Sequence, residues 1–164
     1  MNSGMKHHFS FLIAATSLLS FSFNLYALTF EWPGLAGGSF SSNDFSKENL
    51  VIQFWASWCT SCGQTMGSIS KELPTICPNK AIKFITVNVD EDINAAKEYF
   101  KKQSTENKSL ESIAYFDKEG SIAEKMGVKA IPTIFLVKAG NITASLSGHP
   151  DKVFYEKVKG TCVP

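Results

Sequence analysis

The sequence predicts a single α/β domain. Three observations carry this. Short apolar runs alternate with helix-like segments, the composition suits a packed core, and one Cys-x-x-Cys stands where a buried strand gives way to a helix. The chain has 164 residues, of which 44% are hydrophobic and 19% charged. That is a globular composition, sufficient for one ordinary domain.

The elements follow in order. Leu28–Trp32 and Ser39–Phe40 read as two short strands around Pro33-Gly34 and Gly37-Gly38. Asn43 to Asn49 is polar and reads as a turn or short helix. Leu50 to Trp55 is a compact apolar run, suited to a buried strand that leads into Cys59. From Thr60 a helix is expected to about Leu73, with Pro74 as its stop. Ile82–Val89 reads as a second buried strand. Asp90, Glu91 and Asp92 then suit the start of a helix over Ile93–Lys102, whose terminal lysines complement its dipole. Gln103–Ser109 is a polar connection, followed by a strand at Ile113–Phe116 and a short helix at Ser121–Met126. Thr133–Val137 is the next strand. Ala139-Gly140-Asn141 is a turn, and Ile142–Leu146 pairs back as a hairpin. Pro150 opens a last helix to about Lys159. No internal repeat or low-complexity tract is present.

Charge narrows the function. All 16 basic residues other than histidine are lysines, against 15 acidic ones. No arginine is present, so the bidentate guanidinium clamp for phosphate is missing. With a net charge of +1 there is no strong field for nucleic acid, and none is expected as a partner.

Residues 1–27 stand apart. Lys6, with His7 and His8, precedes an apolar stretch from Phe9 to Phe23, and Leu25-Tyr26-Ala27 ends in a small residue. This reads as a signal peptide cleaved after Ala27. The alternative is an uncleaved anchor over residues 9–27, diluted by Ser10, Thr16, Ser17, Ser20 and Ser22. Residues 28–164 form the domain. An exported chain meets an oxidising compartment, and its four cysteines (Cys59, Cys62, Cys77 and Cys162) are an even number.

Trp58-Cys59-Thr60-Ser61-Cys62 follows a strand and opens a helix. A helix N-terminus carries partial positive charge and free N–H groups, which favour a thiolate. Cys59 is therefore expected to ionise below the free value of about 8.5 and to be the attacking sulfur at the exposed edge. Cys62, one turn inward, resolves the mixed disulfide. Zinc also uses Cys-x-x-Cys, but wants a second ligand pair, and Cys77 and Cys162 do not form one. Haem attachment needs His after the second Cys, where Gly63 stands. No metal or cofactor is expected.

The run Phe54 to Cys62, with Ile131-Pro132-Thr133 further on, resembles the thioredoxin superfamily, and within it the exported TlpA/ResA-like thiol–disulfide oxidoreductases. The resemblance covers about Leu28 to the C-terminus. It implies a thioredoxin fold, a central mixed β-sheet flanked by helices, here preceded by a short N-terminal β-hairpin. It also implies a cis peptide between Ile131 and Pro132 facing the cysteines, against an ordinary trans turn. In that arrangement the Ile131 backbone pairs with an extended client segment, and Pro132 offers no competing N–H.

Departures from the family pattern matter as well. Gln53 stands where thioredoxins carry a buried acid, and an amide cannot take the proton from Cys62. TlpA-like proteins typically show Glu and Pro where this chain has Thr65 and Gly67. Gly63 and Gly67 each weaken the helix by roughly 1 kcal/mol relative to Ala.

Of the other residues, Trp58 reads as a shield and client contact, or as a partly buried aromatic. Trp55 reads as core, and His149 as a solvated loop residue rather than a ligand. Asn107-Lys108-Ser109 and Asn141-Ile142-Thr143 match glycosylation acceptors by chance. In a thioredoxin-like fold the first long helix and the last one lie on one face and run the same way. Cys77 and Cys162 then fall just past their ends, which implies a structural disulfide, against two unrelated buried thiols.

The functional expectation is an extracytoplasmic, in a bacterium periplasmic, reductase of disulfides in client proteins, supplied with electrons by a membrane partner. A disulfide-forming oxidase is the near alternative. A thioredoxin-like copper chaperone is the alternative of another class, disfavoured because relatives of that kind space their cysteines by three residues and add a distal His. A binding module that has lost catalysis is argued against by the intact cysteines and Pro132.

Overall fold

The computed structural model describes residues 29–103 and 109–162. The leader expected over residues 1–27, with its cleaved and anchored alternatives, lies outside them, as do Leu28 and the chance acceptor match at Asn107.

The elements are β1 (Glu31–Pro33), β2 (Ser39–Ser41), α1 (Ser42–Phe45), β3 (Leu50–Trp55), α2 (Thr60–Ile76), β4 (Lys83–Asn88), α3 (Ile93–Lys101), β5 (Ala114–Phe116), α4 (Ser121–Lys125), β6 (Thr133–Lys138), β7 (Asn141–Ser147) and α5 (Lys152–Cys162). Five strands form a mixed sheet in the order β5-β4-β3-β6-β7. β4 pairs with β3 and β5 in parallel, while β6 is antiparallel to both β3 and β7. The β1–β2 pair forms a separate antiparallel hairpin.

β3 lies at the centre because all six of its residues are buried. Alternation sorts them between two faces. Val51 and Trp55 join Cys62, Met66 and Ile69 of α2, Phe100 of α3 and Phe154 and Val158 of α5. Leu50, Ile52 and Phe54 join Trp32 and Phe40 of the hairpin, Phe45 of α1 and Ile122 and Ala123 of α4. The β6–β7 turn is closed by Ala139 and Gly140 at φ 46° and 77°, the left-handed geometry that suits a two-residue hairpin.

Strand ends shift from the sequence reading as well, the first strand running over Glu31–Pro33 rather than Leu28–Trp32, but two helix ends matter more. α2 does not stop at Leu73 but continues through Pro74 to Ile76. Pro74 sits in the last turn, where its missing N–H forfeits a single helical bond, and the Cys77 N–H still reaches the Leu73 carbonyl at 2.8 Å. α5 extends beyond Lys159, so that Cys162 lies in its final turn rather than past it.

Candidate active site

β3 ends at Trp55 and the chain turns through Ala56–Cys59 into α2. The turn is held from two sides. The Cys59 N–H donates to the Ala56 carbonyl at 3.1 Å. The Ser57 N–H donates to the carboxylate of Asp90, at 2.9 and 3.2 Å to its two oxygens. Asp90 is in turn fixed by Asn88, which donates its side-chain amide to the carboxylate at 2.9 Å and accepts the Asp90 N–H at 3.0 Å. This corrects the sequence reading. Asp90 is not a helix-start acid but a buried brace for the cysteine loop, and Asp92 alone caps α3, through the Asn94 N–H.

Cys59 is the N-cap residue of α2 and Cys62 lies in its first turn. Their sulfurs are bonded at 2.07 Å, with Cα atoms 5.3 Å apart. Cys62 is wholly buried. Cys59 is 8% exposed, a narrower opening than the exposed edge expected of it. The polar side chain beside Cys59 Sγ is Ser61, with Oγ at 3.6 Å; among the described residues no lysine or histidine is hydrogen-bonded to it.

Gln53 points under this turn. It is fully buried, and its amide donates to the Cys62 carbonyl at 2.8 Å. The residue that replaces an acid thus anchors the helix that carries the thiols. Gly63 has a role the sequence reading missed. A Cβ there would lie 2.3 Å from the Tyr99 hydroxyl, so the glycine admits Tyr99, whose ring packs 4.9 Å from that of Trp55. Burial pushes the Tyr99 phenol above its ordinary value.

β6 begins at Thr133, in register with Phe54 near the end of β3. That pairing brings Ile131 and Pro132 beside the cysteine loop, and the bond between them is cis. Ile131 packs on the cluster that contains both cysteines. The Pro132 carbonyl accepts the Gly148 N–H at 2.8 Å, which ties the β7–α5 connection to this loop. Trp58 is 73% exposed, so the partly buried alternative is set aside. It borders a shallow apolar pocket with Val89, Ala123, Val128 and Ile131, where Glu124 and Lys129 also contribute. Trp55 is core.

His149 differs from its reading as a merely solvated residue. It is exposed, yet its Nδ1 lies 3.3 Å from Thr65 Oγ1 on the buried face of α2. At the opposite pole Cys77 and Cys162 are joined, with Cα atoms 5.6 Å apart, and Asn79 donates to the Cys162 carbonyl at 2.8 Å. Among the described residues no group of three or more His, Cys, Asp or Glu side chains could hold a metal ion.

A mixed five-stranded sheet with a Cys-x-x-Cys at the start of its first long helix and a cis-proline loop beside it defines a thioredoxin-superfamily protein. The chain belongs to the AhpC/TSA family, whose model matches residues 25–145. It is 28% identical over 119 residues to the thiol-disulfide oxidoreductase ResA of Bacillus thuringiensis subsp. konkukian, spanning 72% of this chain and 65% of that one. The chain therefore covers just under two thirds of the length of the ResA relatives it matches. A thioredoxin of Chlorobaculum thiosulfatiphilum is 26% identical over 114 residues, 69% of this chain and 79% of the relative. Among solved structures, StoA from Bacillus subtilis shares the fold with a TM-score of 0.62 at 20% identity, covering 82% of this chain and 96% of that one. The exposed lipoprotein thioredoxin of Streptococcus pneumoniae gives 0.65 at 21% identity, over 81% and 98%.

Proposed function

We propose that this protein is an exported thiol–disulfide oxidoreductase that reduces disulfides of client proteins outside the cytoplasm. The observation that carries the reading is the Cys59–Cys62 pair itself. One sulfur sits at the rim of a helix N-terminus and the other is sealed beneath it. In the dithiol form the Cys59 thiolate attacks one sulfur of a client disulfide, and the other client sulfur leaves as a thiolate. Cys62 then loses its proton and attacks Cys59 Sγ. The bond from Cys59 to the client breaks, the second client thiolate departs and takes up a proton, and the 59–62 disulfide closes. Two electrons pass to the client, and a donor at the membrane restores the dithiol.

Trp58 and the apolar pocket it borders support a protein client, since an extended segment lying along Ile131 puts a side chain there. Pro132 keeps the backbone beside the sulfurs free of an N–H donor. The Cys77–Cys162 bond serves as a structural staple, remote from the exchange. The reducing direction is favoured because a strong oxidant needs an unusually stabilised thiolate, and the side-chain support visible at Cys59 is the Ser61 hydroxyl. Export is supported by the leader-like composition of residues 1–27 and by the surface exposure named for the pneumococcal relative. No helix among the described residues is long and apolar enough to cross a membrane, and residues 9–27 supply the anchor if the leader is retained.

The test is to trap the intermediate. A Cys62→Ser variant mixed with a disulfide-bonded protein is expected to accumulate a mixed disulfide through Cys59, and Cys59→Ser to accumulate none. Equal trapping by both variants, or by neither, contradicts the reading.

A further inference from the structure

Cys62 must shed a proton before it can attack, yet it is wholly buried, and the amide of Gln53 below it cannot accept one. The path out is set by the helix. Thr65 stands three residues on from Cys62, on the same buried face, where side chains are neighbours about 5–6 Å apart at Cβ. Thr65 is 1% exposed, so its hydroxyl is shut off from solvent, and its partner is the Nδ1 of His149 at 3.3 Å. His149 is exposed. The buried sulfur of Cys62 and the buried Thr65 hydroxyl are thus helical neighbours, and that hydroxyl meets a solvated imidazole.

We propose that Thr65 and His149 form the proton exit for Cys62. In the resolving step the Cys62 proton passes to Thr65 Oγ1 as the threonine proton passes to His149 Nδ1, and the imidazolium gives it up to water. This rests on the oxidoreductase reading and deepens it. The pair touches no client; it positions the proton for the second half of the reaction.

The surroundings leave His149 free for this. β7 carries no charged side chain, and α2 brings none before Lys71 and Glu72. Asp151 is occupied by the Phe154 N–H at 2.8 Å, while Lys152 and Glu156 of α5 are exposed. The Gly148 N–H on the Pro132 carbonyl fixes the loop that presents the imidazole.

The two half-reactions separate with dithiobis(nitrobenzoate). Reduced protein releases one thionitrobenzoate when Cys59 attacks and a second when Cys62 resolves. Thr65→Val and His149→Ala are expected to keep the first release and slow the second by about 100-fold, the lower end of what a positioned acid–base group contributes. Thr65→Ser retains the second rate. His149→Asn can still hydrogen-bond Thr65 but is no base, and is expected to be as slow as His149→Ala. Added imidazole restores the alanine variant. A second release at the normal rate in Thr65→Val or His149→Asn overturns the proposal, as does a slow His149→Ala that imidazole leaves unchanged. Wild-type protein that gives no first release overturns the oxidoreductase reading itself.

Discussion

The carboxylate of Asp90 accepts the backbone N–H of Ser57 through both oxygens, at 2.9 and 3.2 Å, so an acid at the end of β4 fixes the loop that ends β3. The two strands are parallel neighbours, and their C-terminal ends therefore lie side by side. Substituting Asp90 by Ala leaves the Ser57 N–H and the Asn88 amide without their acceptor. An unsatisfied buried donor costs about 1–3 kcal/mol. Urea denaturation of Asp90→Ala is expected to show a loss of about that size, with faster amide exchange at Ser57. Unchanged stability contradicts the bracing role.

Much of this site was legible in the sequence. The strand that leads into Cys59 and the helix that follows show in local pattern, because apolar runs and Cys-x-x-Cys are contiguous signals; Ile131-Pro132 was legible only through the resemblance to the thioredoxin superfamily. Asp90 and His149 were not legible in the same way. Each acts across the fold, on Ser57 and Thr65, and a contact of that kind leaves no mark in local periodicity. Asp90 was also masked by the two acids after it, of which Asp92 is the true cap. Pro74 misled for a different reason: near a helix end the missing N–H costs too little to stop the chain.

Gly63 offers a second test. Alanine in a helix interior is ordinarily better than glycine by roughly 1 kcal/mol, but here the added methyl meets the Tyr99 hydroxyl. Gly63→Ala is expected to be destabilising in the wild-type background and stabilising by up to about 1 kcal/mol once Tyr99 is Phe. A thermal-unfolding double-mutant cycle reads the coupling. Additive effects contradict the packing account.

Asp117 makes a pH prediction. Its carboxylate accepts the N–H groups of Ile122 and Ala123 and so caps α4, yet burial outweighs these bonds and raises the carboxyl above its ordinary value of 3.8. The folded state therefore holds this proton more tightly than the unfolded chain. Its contribution to stability is fully present below that ordinary value and is lost as pH rises through the raised one. The difference in unfolding free energy between wild type and Asp117→Asn is expected to shrink as pH rises from about 4, then level off. A difference that does not vary with pH contradicts this.

The Cys77–Cys162 bond links positions 85 residues apart. A closed loop of that size is worth on the order of 4 kcal/mol in the chain-entropy model. The double variant Cys77→Ser/Cys162→Ser is expected to lose stability toward that value in urea, while its exchange kinetics at Cys59 stay unchanged. Loss of exchange in a folded variant points instead to a redox role for this pair.

The reduction potential of the Cys59/Cys62 pair tests the central claim most directly, by equilibrating the protein with a series of glutathione buffers. The helix N-terminus and the Ser61 hydroxyl lie beside Cys59 Sγ, and a reductase is expected to show about −230 mV or lower. A value near −120 mV means that the dithiol form is strongly stabilised; it contradicts reduction and makes the protein a donor of disulfides.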